Sequence, residues 1–168
     1  GLRTPRSLLP SEDRSTIRVE PVDGIRFLDG NVKLSEEGVV LNLSESMPEA
    51  PSGFELSAHI LRGAIRIEFG DVETGPGYVL TVPGPIGAPG RPGVIRVLRN
   101  PDSMRVFVDD VPMVPGPPNL DGPLSIAIET DAGTIASIHG MTVIPPTTVE
   151  SAAIEKWKAA RLEIESGS

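Results

Sequence analysis

Between Phe54 and Phe69 the chain alternates apolar and polar residues. Phe54, Leu56, Ala58 and Ile60 are interleaved with Glu55, Ser57 and His59; beyond Arg62-Gly63, Ile65, Ile67 and Phe69 are interleaved with Arg66 and Glu68. A side-chain period of two belongs to a strand with one dry face and one wet face. A glycine between two such runs suits a two-residue hairpin loop, because it takes positive φ without a Cβ clash. A loop at 62–63 sets Ile60 opposite Ile65, Ala58 opposite Ile67 and Leu56 opposite Phe69, with His59 against Arg66 on the wet side. A slip of one residue destroys that match, so the pattern predicts a hairpin of this register.

The same period recurs along the chain. Ile17–Val22, Ile25–Leu28, Val32–Leu34, Val39–Leu43, Tyr78–Val82, Val94–Arg99, Met104–Asp109, Leu124–Glu129 and Ile135–Ile144 each read as a short strand. Between them lie turn sequences such as Asp23-Gly24 and Asn100-Pro101-Asp102-Ser103, where proline presets φ. Many closely spaced strands with no helical period between them predict an all-β sandwich or barrel and not a βαβ fold.

The two ends differ from this body. Residues 1–16 are polar, carry Pro5 and Pro10, and read as a linker or arm before a sandwich spanning 17–146. In the C-terminal segment 147–165, Thr147 and Glu150 have the spacing of a capping box. Ile154, Trp157, Arg161 and Ile164 then recur at helical spacing, which predicts one amphipathic helix over 149–164. Ile154, Trp157 and Ile164 are its expected contact stripe, facing the sandwich, another subunit or a further domain.

Composition narrows the function classes. The 168 residues include 18 Gly and 18 Pro, which suits many turns. Glycine recurs every third residue from Gly84 to Gly93, but a triple helix needs a far longer repeat. The formal net charge of −8 repels nucleic acid over most of the surface. With no cysteine, disulfides, thiolate catalysis and zinc–thiolate sites are absent. No apolar stretch is long enough to span a bilayer and no secretory signal is present. The chain starts Gly1-Leu2-Arg3 without Met, as expected of a piece of a larger parent.

Val94-Ile-Arg-Val-Leu-Arg-Asn-Pro-Asp-Ser-Met-Arg-Val-Phe-Val-Asp-Asp110 resembles the paired strands of laminin-G-like and concanavalin A-like domains, with Asp110 where that family has Gly. Phe54-Glu-Leu-Ser-Ala-His-Ile60 and Gly77-Tyr-Val-Leu-Thr-Val82 resemble two further strands of the family. Gly122-Pro-Leu-Ser-Ile-Ala-Ile128 and Ala136-Ser-Ile-His-Gly-Met-Thr-Val-Ile144 resemble its closing strands. The order matches over roughly residues 17–145. The resemblance, which extends to bacterial 3-keto-disaccharide hydrolase-type domains, implies a two-sheet antiparallel jelly roll with a concave face and sugar or protein ligands.

Candidate chemistry is sparse. Retaining glycosidases of this superfamily carry Glu-x-Asp-x-x-Glu, which does not occur here, although Glu55 and Glu68 would share the wet face of the expected hairpin. Ser57, His59 and Glu68 allow a Ser-His-Glu sketch, but no Gly-x-Ser-x-Gly elbow supports it. Asp109, Asp110 and Asp121 are the weak calcium candidates, without the spaced acidic loop that calcium favours. Sugar platforms need aromatic rings, and Tyr78 is the one ring expected to reach a concave surface. The expected site is therefore Glu55, Ser57, His59, Arg66 and Glu68, with Tyr78 and Arg96 alongside; the proline loops 83–93 and 111–123 come second.

Together these features predict a non-catalytic recognition or assembly module of a bacterial surface, periplasmic or secreted protein, needing no cofactor and binding a protein or a glycan. Two alternatives stand beside it: a diverged glycoside-processing domain using Glu55 and Glu68, and a structural subunit or sensory ectodomain coupled through its C-terminal helix.

Overall fold

The computed structural model describes residues 6–7, 17–28, 30–71, 75–88, 90–114, 116–118, 120 and 122–144. The expected helix 149–164, with Ile154, Trp157 and Ile164, lies outside the described residues. The strands are β1 (Arg6–Ser7), β2 (Ile17–Glu20), β3 (Ile25–Leu28), β4 (Asn31–Leu34), β5 (Val39–Met47), β6 (Ser52–Arg62), β7 (Ala64–Asp71), β8 (Gly75–Pro83), β9 (Gly93–Asn100), β10 (Ser103–Val108), β11 (Val111–Pro112), β12 (Leu124–Thr130) and β13 (Ile135–Ile144). They form two antiparallel sheets. One has eight strands in the order β11-β10-β9-β6-β13-β4-β3, with β1 also paired to β13; the other has five, β2-β5-β12-β7-β8.

The alternation in the sequence sorts each strand between core and solvent. Leu56, Ala58 and Ile60 of β6, Ile95 and Val97 of β9, and Ile138, Met141 and Val143 of β13 are buried from the eight-stranded sheet. Leu41 of β5, Ile65, Ile67 and Phe69 of β7, and Ile126 and Ile128 of β12 meet them from the five-stranded sheet. Phe54 and Phe69 lie edge to face across the gap, with ring centroids 6.0 Å apart.

The expected 54–69 hairpin does not form. β6 pairs with β9 and β13, while β7 pairs with β12 and β8, so Arg62-Gly63 is a corner between sheets. Apolar residues of two strands that face each other from opposite layers give the same alternation as strands paired side by side, and period alone cannot separate the two. Gly63 makes the corner: its φ is +81°, and a Cβ there would lie 2.4 Å from Thr134 Oγ1 and 2.9 Å from Thr134 Cα. Gly63→Ala is expected to cost about 2 kcal/mol, from the left-handed backbone and the displaced Thr134; a midpoint unchanged in urea unfolding would refute that reading of the corner.

The expected β9–β10 hairpin does form, with Ser103 opposite Asn100 across Pro101-Asp102. Beyond it, Asp109 and Asp110 have φ values of 48° and 68° in the two-residue turn from β10 to β11. Paired positive φ is what such a turn requires, and Asp tolerates it better than most residues.

Candidate functional site

The expected site divides between the two outer surfaces of the sandwich. Glu55, Ser57, His59 and Arg96 stand on the outer face of the eight-stranded sheet, whereas Arg66 and Glu68 belong to β7 in the other sheet. His59 is therefore opposite Ser137 and not Arg66. Glu55 and Glu68 cannot act as a carboxylate pair, and Ser57, His59 and Glu68 cannot form a triad. The loss of the hairpin is the cause: each outward side chain follows its own sheet.

On the eight-stranded side Arg96 braces the turn, with Nε donating to Glu55 Oε2 at 3.1 Å and Nη1 to Asp110 Oδ1 at 2.8 Å. Asp109 Oδ1 accepts from the Val94 N–H at 2.8 Å. One oxygen of each of Asp109 and Asp110 thus accepts from the protein's own donors, and Asp121 lies outside the described residues. Among the described residues no group of three or more His, Asp or Glu side chains is placed to hold a metal ion. On the five-stranded side Arg66 forms a bidentate pair with Asp131, at 2.7 and 3.0 Å, and reaches Glu129 at 3.0 Å. The Asp131 hydrogen bonds chiefly hold the Arg66 guanidinium pKa up and, reciprocally, the Asp131 carboxyl pKa down. Tyr78, on β8 of the five-stranded sheet, is half-buried and packs against the core, and that burial raises its phenol pKa.

The side of the eight-stranded sheet where β6, β13 and β4 lie together holds a different constellation. A pocket of about 280 Å³ on the outer face of the eight-stranded sheet is lined by Leu28, Asn31, Lys33, His59, Leu61, Gly90, Ile135, Ala136, Ser137 and His139. Two irregularities build it. The β6–β13 register skips Leu61, between the pairs Ile135–Arg62 and Ala136–Ile60, and skips His139, between Ile138–Ala58 and Gly140–Ser57. A bulge adds one residue to a strand and re-aims its side chain. Both extra residues line the pocket, and Leu61 is 60% exposed. Gly90 comes from the proline loop 83–93, whose Ile86 continues the sheet through paired backbone hydrogen bonds with Ile60, both 2.9 Å.

His59 and His139 are the only histidines in the chain, and both line this pocket. Ser137 Oγ and His139 Nε2 share a 3.0 Å hydrogen bond. Burial, and secondarily the neighbouring His59, lower the His139 pKa from its ordinary 6.5. His139 thus binds its proton less readily folded than unfolded. Stability is expected to be fully present above about pH 6.5 and to fall as pH drops through the folded pKa below it. Denaturant midpoints measured against pH in wild type and His139→Gln check this: the variant is expected to lose part of the acid slope, and an unchanged slope would contradict the assignment.

Of the first expected site only His59 lines this pocket, and of the second only Gly90 of the proline loop 83–93. Leu28, Asn31, Lys33, Leu61, Ser137 and His139 were missed, because their convergence depends on β6, β13 and β4 lying side by side. Two local signals were present: the apolar doublet Ile60-Leu61 breaks the alternation, and His139-Gly140 places glycine inside a strand, where it often marks a bulge.

No family model matches this sequence. No curated protein matches it either. Solved structures do. The carbohydrate recognition domain of Emp47p is 12% identical with a TM-score of 0.56, covering 88% of this chain and 100% of its own. The Ca²⁺/Man3GlcNAc-bound exoplasmic/lumenal domain of VIP36 is 9% identical with a TM-score of 0.55, covering 86% of this chain and 91% of its own. A glycosyl-hydrolase-like protein of Parabacteroides distasonis is 7% identical with a TM-score of 0.60, covering 86% of this chain and 100% of its own. The chain shares with these structures a fold of two packed antiparallel sheets. At these identities the likeness concerns the backbone arrangement, and the concanavalin A-like resemblance of the β9–β10 hairpin and the closing strands agrees with it.

Proposed function

We propose that this domain is a glycan-recognition module, non-catalytic, within an extracytoplasmic bacterial protein, and that its ligand sits in the pocket between His59, Leu61, Ser137 and His139. The observation that carries the reading is the pair of bulges that aim Leu61 and His139 into one pocket on the outer sheet face. An exposed leucine at the rim supplies apolar contact, while Ser137, Asn31 and the imidazoles supply the few directed hydrogen bonds that fix orientation. Support also comes from the lectin-like neighbours, one of which holds a glycan in its structure.

Ser137 and His139 resemble a nucleophile and base, but among the described lining residues no carboxylate stands beside the imidazole to orient it. That favours recognition over hydrolysis. A glycan array probed with wild type and Ser137→Trp tests the proposal. The indole fills the pocket floor, so bound glycans are expected to lose about tenfold or more in affinity. Equal binding by both proteins would move the site elsewhere, and no binding across a broad array would remove the glycan reading.

A further inference from the structure

We infer that the pocket selects acidic saccharides, those carrying a uronic-acid carboxylate, over their neutral counterparts. The inference rests on the glycan reading above and deepens it. The chain carries a net charge of −8, yet the ionisable residues lining this pocket are Lys33, His59 and His139, with no Asp or Glu among the described lining residues. A pocket lined by Lys33 and two imidazoles in a negatively charged protein presents the complement of an anion, and that complementarity governs partner choice and encounter.

Arg62 stands opposite the lining residue Ile135, whereas Arg26, opposite Lys33 on β3, lines a neighbouring pocket with Asp23 and Glu36. The nearest described acidic contact is Glu36, whose Oε2 lies 4.0 Å from Lys33 Nζ at an exposed position. A solvent-exposed pair at that distance is weak and leaves the ammonium able to take a ligand carboxylate. Ser137 and Asn31 supply neutral polar groups for ring hydroxyls, and Leu28 and Leu61 supply apolar contact for a sugar's C–H face. His59 and His139 face the same space and offer ring nitrogens to a ligand's polar groups.

The test is titration calorimetry with a panel of uronic-acid oligosaccharides (galacturonate, glucuronate and mannuronate types), each paired with its methyl ester. The ester keeps the sugar's shape and removes only the charge. The acid form is expected to bind about tenfold tighter than its ester, the worth of one charge-assisted hydrogen bond. That margin is expected to shrink with added salt. Lys33→Gln is expected to erase most of it and Lys33→Arg to retain it, while circular dichroism shows both variants folded. Acid and ester binding equally at the pocket would overturn this inference and leave the glycan reading standing. Sulfated oligosaccharides bound in preference to every uronate would overturn the carboxylate assignment. No saccharide binding at all would overturn both.

Discussion

Phe54→Ala is expected to destabilise the domain by about 4 kcal/mol. Phe54 is 1% exposed on β6 and Phe69 is 0% exposed on β7. Their edge-to-face contact joins the two sheets directly, at 6.0 Å and 84°. Truncating either ring opens a cavity inside a close-packed interior, and flanking strands fixed by backbone ladders on both sides cannot close it. A double-mutant cycle with Phe69→Ala adds a sharper expectation: a coupling of about 1 kcal/mol, the excess that an aromatic pair shows beyond its buried area. Urea unfolding of the four proteins measures both quantities. A single-mutant loss near 1 kcal/mol, the ordinary value for a substitution, would mean that the ring is not a core element.

Arg99→Ala is expected to cost about 3 kcal/mol, for a different reason. Arg99 is 2% exposed at the end of β9, and its guanidinium donates from Nη1 to the Pro48 carbonyl and from Nη2 to the Leu120 carbonyl, the latter at 2.6 Å. One side chain thereby ties the loop after β5 and the loop before β12 to the eight-stranded sheet. Alanine removes the fork, leaves those carbonyls without this donor and empties its volume. Arg99→Lys is expected to recover only part of the loss, because a single ammonium cannot match a planar fork. Full stability in Arg99→Ala would show that the two loops are held by other contacts.

How much was legible in the sequence differs between the core and the site. Strand positions and the buried set followed from alternation at Leu56, Ile60, Ile67 and Ile126, because a period of two is a local property. Partnership is not local. Alternation across Arg62-Gly63 is satisfied by a hairpin and equally by a corner between layers, and the choice is made by β9, β12 and β13, which come later in the chain. The error in pairing carried into the site: Arg66 and Glu68 were placed beside His59 although they face away on the other sheet. Asp109 and Asp110, weak calcium candidates by their sequence, make the β10–β11 turn. The pocket depends on Leu61 and His139 each being the extra residue of a bulge, and a bulge is defined only against a partner strand.

The measurement that bears most directly on the central claim is an NMR titration of isotope-labelled protein with the tightest-binding saccharide from the glycan array. The account predicts that backbone resonances of His59, Leu61, Ser137 and His139 and the ring resonances of the two histidines shift together along one binding curve, while the backbone resonances of Arg66, Glu129 and Asp131 on the opposite sheet stay in place. Shifts centred on the Arg66 face with the two histidines silent would contradict it.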